Sequence, residues 1–157
     1  MTTVMAARDT TALPDARDFR AGLAVACGAV IAPLAFGLAA PAWMAQLLGA
    51  GAAPAMVWAG VIGAIFVGFT TVIVRATVQA SPALFLIAWG GSSILGFAGL
   101  GVCFLWPEIG VGSGKGLLFG YGGAMIMGKM LEVPALWHAA PIHPVTTVPV
   151  ALAGGDA

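Results

Sequence analysis

The chain has 157 residues, of which 61% are hydrophobic and only 8% are charged, and its six basic and six acidic side chains cancel. Soluble domains carry about 25% charged residues, so this composition belongs in lipid. Because the chain has neither a basic surface nor an acidic tail, we expect no binding to nucleic acid and no cationic partner.

Residues 1–20 form a polar leader that precedes the first apolar run. The leader carries Arg8, Arg17 and Arg20 among its charged residues. The run that follows is longer than the 7–15 residues or so of a secretory signal. The sequence therefore predicts that the leader is retained rather than cleaved.

Four apolar runs follow the leader, and each is about 20 residues long, which is enough for a helix to cross a hydrocarbon core of about 30 Å. They cover residues 21–43, 54–75, 83–106 and 116–137. Their connections are short, so consecutive spans should be antiparallel neighbours. The sequence predicts an all-α integral membrane protein, an antiparallel bundle of four transmembrane helices, with a Pro-rich flexible tail at residues 138–157.

Basic residues near the span ends set the orientation, because Lys and Arg accumulate on the cytoplasmic side. Three arginines precede the first span and Arg75 closes the second, whereas Lys115 stands alone at the opposite end. We therefore expect both termini in the cytoplasm. A bacterial inner (plasma) membrane is the expected location.

The segment GVGSGKG at residues 110–116 has the look of a phosphate-binding loop. A P-loop requires G-x-x-x-x-G-K-[ST] between a strand and a helix. Here Ile109 occupies the first glycine position, and Gly116 stands where the hydroxyl for magnesium is needed. We interpret the segment as a turn in which Lys115 anchors the fourth span, and we expect no nucleotide.

Every span carries small residues at helical spacing, a pattern that lets membrane helices approach closely. The longest run is in the fourth span, where Gly116, Gly120, Ala124 and Gly128 recur every four residues and share one face. We expect a tightly packed bundle with one face left for another protein. The glycines predicted at helix contacts are Gly60, Gly68, Gly96, Gly116, Gly120 and Gly128.

Two further features of the spans leave alternatives open. Pro33 lies inside the first span, where it removes a backbone hydrogen bond and should kink the helix, either as a static bend or as a hinge. The small residues of the second and fourth spans share a rhythm, which a two-plus-two duplication or the abundance of Gly and Ala would each produce.

The strongest candidate for a polar site is the stretch MIMGKMLE at residues 125–132. Lys129 and Glu132 are three residues apart, so they share a helix face and can form an ion pair. Charges within spans usually mark function, but a lysine about 9 Å from the cytoplasmic edge can also snorkel to it. The pair is therefore either an interfacial anchor or, with Ser92 and Ser93, a polar site for a solute, an ion or a partner. Glu132 continues the glycine stripe, which points it inward.

The remaining reactive side chains are not arranged for chemistry. His138 and His143 follow the last span and no span contains a histidine, so we predict no haem and no metal site. Met125, Met127 and Met130 fall on different faces of one helix and are interpreted as packing residues. The span hydroxyls have no base at their depth to activate them, so no catalytic residue and no cofactor is expected.

The expected function is therefore non-catalytic, namely a small integral membrane protein that packs with itself or serves as an accessory subunit of a larger membrane assembly. The alternative is an oligomeric transporter or channel for a small solute or ion, with Lys129, Glu132, Ser92 and Ser93 along its path. Against that alternative stands the lack of a charge at mid-bilayer, which proton-coupled carriers normally need. A membrane-embedded enzyme is the third class considered.

Overall fold

The computed structural model describes residues 13–78, 81–105 and 114–138, and these residues form helices and no strand. The five helices are α1 (Ala16–Ala39), α2 (Pro41–Leu48), α3 (Ala52–Val78), α4 (Pro82–Leu105) and α5 (Gly114–Trp137). The prediction of an all-helical chain is confirmed for these ranges. Most of the polar leader, residues 110–113 of the glycine-rich turn, His143 and most of the tail lie outside the described residues.

Three helices are long and apolar enough to cross a membrane, namely Ala16–Ala39, Ala52–Val78 and Pro82–Cys103. They indicate an integral membrane protein. The fourth predicted span corresponds to α5, which has the same 24 residues as α1. Its composition is less apolar, because it carries Lys115, Lys129 and Glu132.

The first predicted span has different limits in the structure. We expected a helix over residues 21–43, but α1 begins at Ala16 and ends at Ala39. Asp15 caps its start, because the Asp15 carboxylate accepts the backbone N–H groups of Arg17 (2.7 Å) and Asp18 (2.9 Å). These bonds, that from Asp18 first, hold the pKa of Asp15 below its ordinary value.

The end of α1 is set by Pro41, which begins the separate short helix α2. Proline has no N–H to continue a helix but suits the first turn of a new one. Ala40, between the two helices, has φ −132° and ψ 47°, outside the helical region. Pro33, by contrast, lies within α1, which continues through it, and its ring packs on Gly60 of α3.

The contacts of α5 with α3 show that these two helices run in the same direction. The neighbours rise together along both helices, from Gly116 beside Ala52, through Gly120 beside Met56, to Gly128 beside Val67. The opposite order holds between α1 and α3, where Gly37 lies beside Val57 and Gly22 beside Val72. Gly96 beside Met125 and Gly99 beside Tyr121 likewise make α4 antiparallel to α5.

The tightest packing joins α1, α3 and α5. Ala29, Val67 and Ala124 are fully buried there, and bulky residues such as Ile62, Phe69 and Ile126 point outward. The helix α4 lies along one edge of this group, and within its described residues only Ser92 and Gly96 are buried. A side of α4 and the edge it shares with α5 are thus left accessible.

Candidate functional site

All six glycines predicted at helix contacts lie against another helix of the same chain. Gly60 meets Pro33, and Gly68 meets Ala26 of α1. Gly96 of α4 meets Met125. The three glycines of α5 lie on α3, and for Gly116 and Gly120 the neighbouring atoms are α3 backbone. These glycines therefore serve close packing inside one molecule rather than a face for another protein.

The predicted pair in α5 is formed and also reaches α4. The ammonium of Lys129 donates to Glu132 Oε2 at 2.6 Å and to Ser92 Oγ at 3.1 Å. The Ser92 hydroxyl donates in turn to the Trp89 carbonyl at 2.8 Å, which leaves its lone pairs free to accept from Lys129. Lys129 therefore bridges two helices instead of extending to the membrane edge.

Ser93 takes a different position from the other three candidate residues. Its hydroxyl donates to the same Trp89 carbonyl at 2.9 Å, and the structure shows no hydrogen bond from Ser93 to Lys129 or Glu132. Ser93 and Lys129 instead lie along the same groove between α4 and α5. The structure thus joins Lys129, Glu132 and Ser92 into one cluster and places Ser93 beside it.

Glu132 has an unusual environment for a carboxylate. It is fully buried, on the same face of α5 as Gly128, at the level of Thr71 in α3 by the register of the two helices. Its Oε1 atom has no hydrogen-bond partner among the described residues. An unsatisfied buried polar atom costs about 1–3 kcal/mol, more when charged, so such atoms are rare and call for an explanation.

The depth of this cluster exceeds the sequence-based expectation. Ser92 is ten residues into α4, and Lys129 is eight residues from the end of α5. At a rise of about 1.5 Å per residue, they lie about 15 Å and about 12 Å from those helix ends. Side chains on a helix tilt toward its N-terminus, which turns Lys129 away from the nearer end of α5. The cluster therefore lies well inside the predicted span.

A second polar cluster, at the end of the molecule where α1 begins and α3 and α5 end, was missed from the sequence. Arg75 Nε donates to Asp18 Oδ1 at 3.0 Å, and Arg75 Nη1 donates to the carbonyl of Ala135. Both charged side chains are nearly buried. One side chain thus joins three helices. The sequence marked Arg75 and the charged leader as lying on the same side of the membrane, but not as a contact.

A groove of about 540 Å³ separates α4 from α5 next to Lys129. Its walls are apolar, and the polar side chains along it are Ser93 and Lys129. Trp89, Phe97 and Leu100 line it from α4, and Met125, Ile126, Met130 and Val133 line it from α5. Sequence periodicity could not reveal the groove, because it depends on how far two helices stand apart.

The other reactive side chains are engaged locally. The hydroxyls of Thr70 and Thr71 both donate to the carbonyl of Val67. Cys27 and Cys103 are free thiols on different helices. Among residues 13–78, 81–105 and 114–138 no three His, Cys, Asp or Glu side chains are grouped so as to hold a metal ion.

Comparison with protein-family models, with curated proteins and with solved structures finds no match to this chain. The function is therefore inferred from the geometry of the molecule alone.

Proposed function

We propose that this is a small, non-catalytic integral membrane protein with four spans that associates with itself or with a larger membrane assembly. In this proposal both termini lie in the cytoplasm of a bacterium, and α4 carries the association. Its outward face, defined as Ile87, Gly90, Gly91, Ile94, Ala98 and Gly101, is the observation on which the proposal rests.

The fourth span follows from the packing of α5. Because α5 runs parallel to α3 from Ala52 to Val67 at least, a membrane crossed by α3 is crossed by α5 as well. The charges that lower the hydropathy of α5 do not oppose this arrangement. Lys129 and Glu132 are paired inside the protein, where polar groups in membrane helices are normally found.

The glycines of α4 differ from those of the other helices. A side chain added at Gly90, Gly91 or Gly101 would meet no described atom of the chain within 4 Å. Small residues in membrane helices allow another helix to approach closely. Ile87 and Ile94 on the same face are 70% and 71% exposed, so the face alternates small and bulky residues without an intramolecular partner.

Substitutions on the outward face test the association without disturbing the packed core. Gly90→Leu and Gly101→Leu add bulk where the chain itself leaves space, so the monomer should fold normally. Gly123→Leu on α5 is the matched control, since Gly123 also has open space around it. We expect both α4 variants, but not the control, to lower the mass of the particle measured by light scattering in mild detergent. A particle mass equal to that of the wild type in all three variants would contradict the proposal.

A transport function is the second candidate, and the buried Glu132 oxygen without a partner favours it. The depth of the cluster also weakens the objection that no charge lies near mid-bilayer. Glu132→Gln should then abolish proton or sodium flux into proteoliposomes while the particle mass is unchanged. If wild-type proteoliposomes show no flux of either ion above that of empty vesicles, this candidate is excluded for those ions.

A further inference from the structure

We propose that the groove between α4 and α5 binds an uncharged, lipid-soluble carbonyl compound whose oxygen accepts a hydrogen bond from Lys129. This inference concerns a face of α4 different from the outward face. It therefore holds or fails independently of the proposed association.

The dimensions and walls of the groove suit a small apolar molecule. Binding sites for small molecules have volumes of about 300–1,000 Å³ and are mostly apolar with a few placed polar groups. This groove has about 540 Å³. Trp89 and Phe97 present flat rings from α4, and Met125 and Met130 present adaptable thioethers from α5. A ring-shaped molecule with a short tail fits such walls.

The polar end of the groove determines the charge of the occupant. A lysine ammonium has three N–H donors, and within the described part of the chain Lys129 directs two of them to Glu132 and Ser92. Lys129 is also the charged residue lining the groove, and Glu132 already neutralises it. A bound anion would find no remaining positive charge in the groove. A neutral acceptor would find one N–H donor, which identifies the occupant as uncharged.

Two sources of a neutral carbonyl exist in a membrane, the ester groups of phospholipids and the ring carbonyls of freely diffusing molecules such as quinones. Ester groups stay near the interface, whereas Ser92, which receives a hydrogen bond from Lys129, lies about 15 Å along α4. A freely diffusing molecule can reach this depth with its carbonyl. The groove therefore favours the ring carbonyl over the ester.

Quenching of tryptophan fluorescence measures this binding, because Trp89 lines the groove. The probe is a benzoquinone with a decyl tail, added to the full chain in lipid nanodiscs. We expect saturable quenching that is largely lost in Trp89→Phe, which separates Trp89 from the other four tryptophans. Decane without a carbonyl should not compete with the probe, and dodecanoate should compete poorly because it is an anion.

Two neighbouring glycines provide a matched pair of variants that leave the ion pair intact. Gly122 lines the groove, so Gly122→Leu fills it, whereas a side chain at Gly123 extends into open space. We expect Gly122→Leu to weaken binding of the quinone at least about tenfold, and Gly123→Leu to leave it unchanged. Equal binding by both variants would place the probe outside the groove and overturn the inference.

The role of Lys129 is tested by removing both members of the pair together, so that no unpaired charge remains buried. Lys129→Met with Glu132→Gln should weaken quinone binding about tenfold, the loss expected for one hydrogen bond from a charged donor. Lys115→Met, at the far end of α5, is the control. Unchanged binding in the double variant would refute the carbonyl contact. Quenching of Trp89 by brominated phospholipid that the quinone cannot displace would also refute the inference, by assigning the groove to bilayer lipid.

Discussion

Replacement of Gly120 by leucine tests how the helices pack. A Cβ atom at Gly120 would come within 2.8 Å of Met56 Cα and closer still to the Met56 carbonyl oxygen. Ordinary contact begins at 3.4 Å, so α3 and α5 must separate by at least about 0.6 Å. Backbone atoms cannot move aside as a side chain does, so we expect a destabilisation of about 3 kcal/mol, the upper part of the range for overpacking.

The assay for Gly120→Leu is unfolding of the protein in detergent, followed by circular dichroism. The matched control is Gly123→Leu on the same helix, where an added side chain has open space and the unfolding midpoint should stay that of the wild type. Because the neighbours of Gly120 belong to its own chain, the loss should not depend on protein concentration. Equal midpoints for the two variants, or a loss that grows on dilution, would refute the assignment of Gly120 to contacts within one molecule.

Three further predictions concern the ends and the depth of the helices. Arg75→Met should destabilise the fold by about 1–3 kcal/mol, because Asp18 and the Ala135 carbonyl lose their donor. In a double-mutant cycle with Asp18→Asn the two losses should not add. Thr10→Cys and Ser113→Cys, in a cysteine-free background, should be labelled from opposite sides of the membrane, and equal access from the cytoplasm would end the topology with both termini inside. Cys27 and Cys103 should both react with a maleimide after denaturation without reductant, since bonded cysteines need Cα atoms within about 7 Å, and an intramolecular disulfide would show that their assigned depths are wrong.

Much of the helical architecture is readable from the sequence, because apolar length and small-residue spacing are local properties. The inward direction of Glu132 follows from the same spacing, since it continues the face of Gly116 and Gly128. The break at Pro41 was missed because the apolar run crosses it without interruption. Two prolines in that run behave differently, and the difference depends on Gly60, which gives the Pro33 ring a place to pack.

The direction of Lys129 and the role of Arg75 depend on pairs of residues far apart in the chain. Lys129 lies 37 positions from Ser92, and Arg75 lies 57 from Asp18. A helical pattern shows which residues share a face, but it does not show which helix that face meets. For the same reason the stripes predicted close packing, while the structure alone shows that their partners belong to the same chain.

Crosslinking at the outward face of α4 tests the proposed association most directly. A single cysteine at Ile94, in a cysteine-free background, is oxidised in native membranes and compared with one at Ile62 of α3, which is similarly exposed. The account predicts that Ile94→Cys forms a crosslink to a second copy of the chain or to a partner subunit, and that Ile62→Cys does not. If Ile94→Cys crosslinks no more than Ile62→Cys, the outward face of α4 meets lipid alone and the proposal is contradicted.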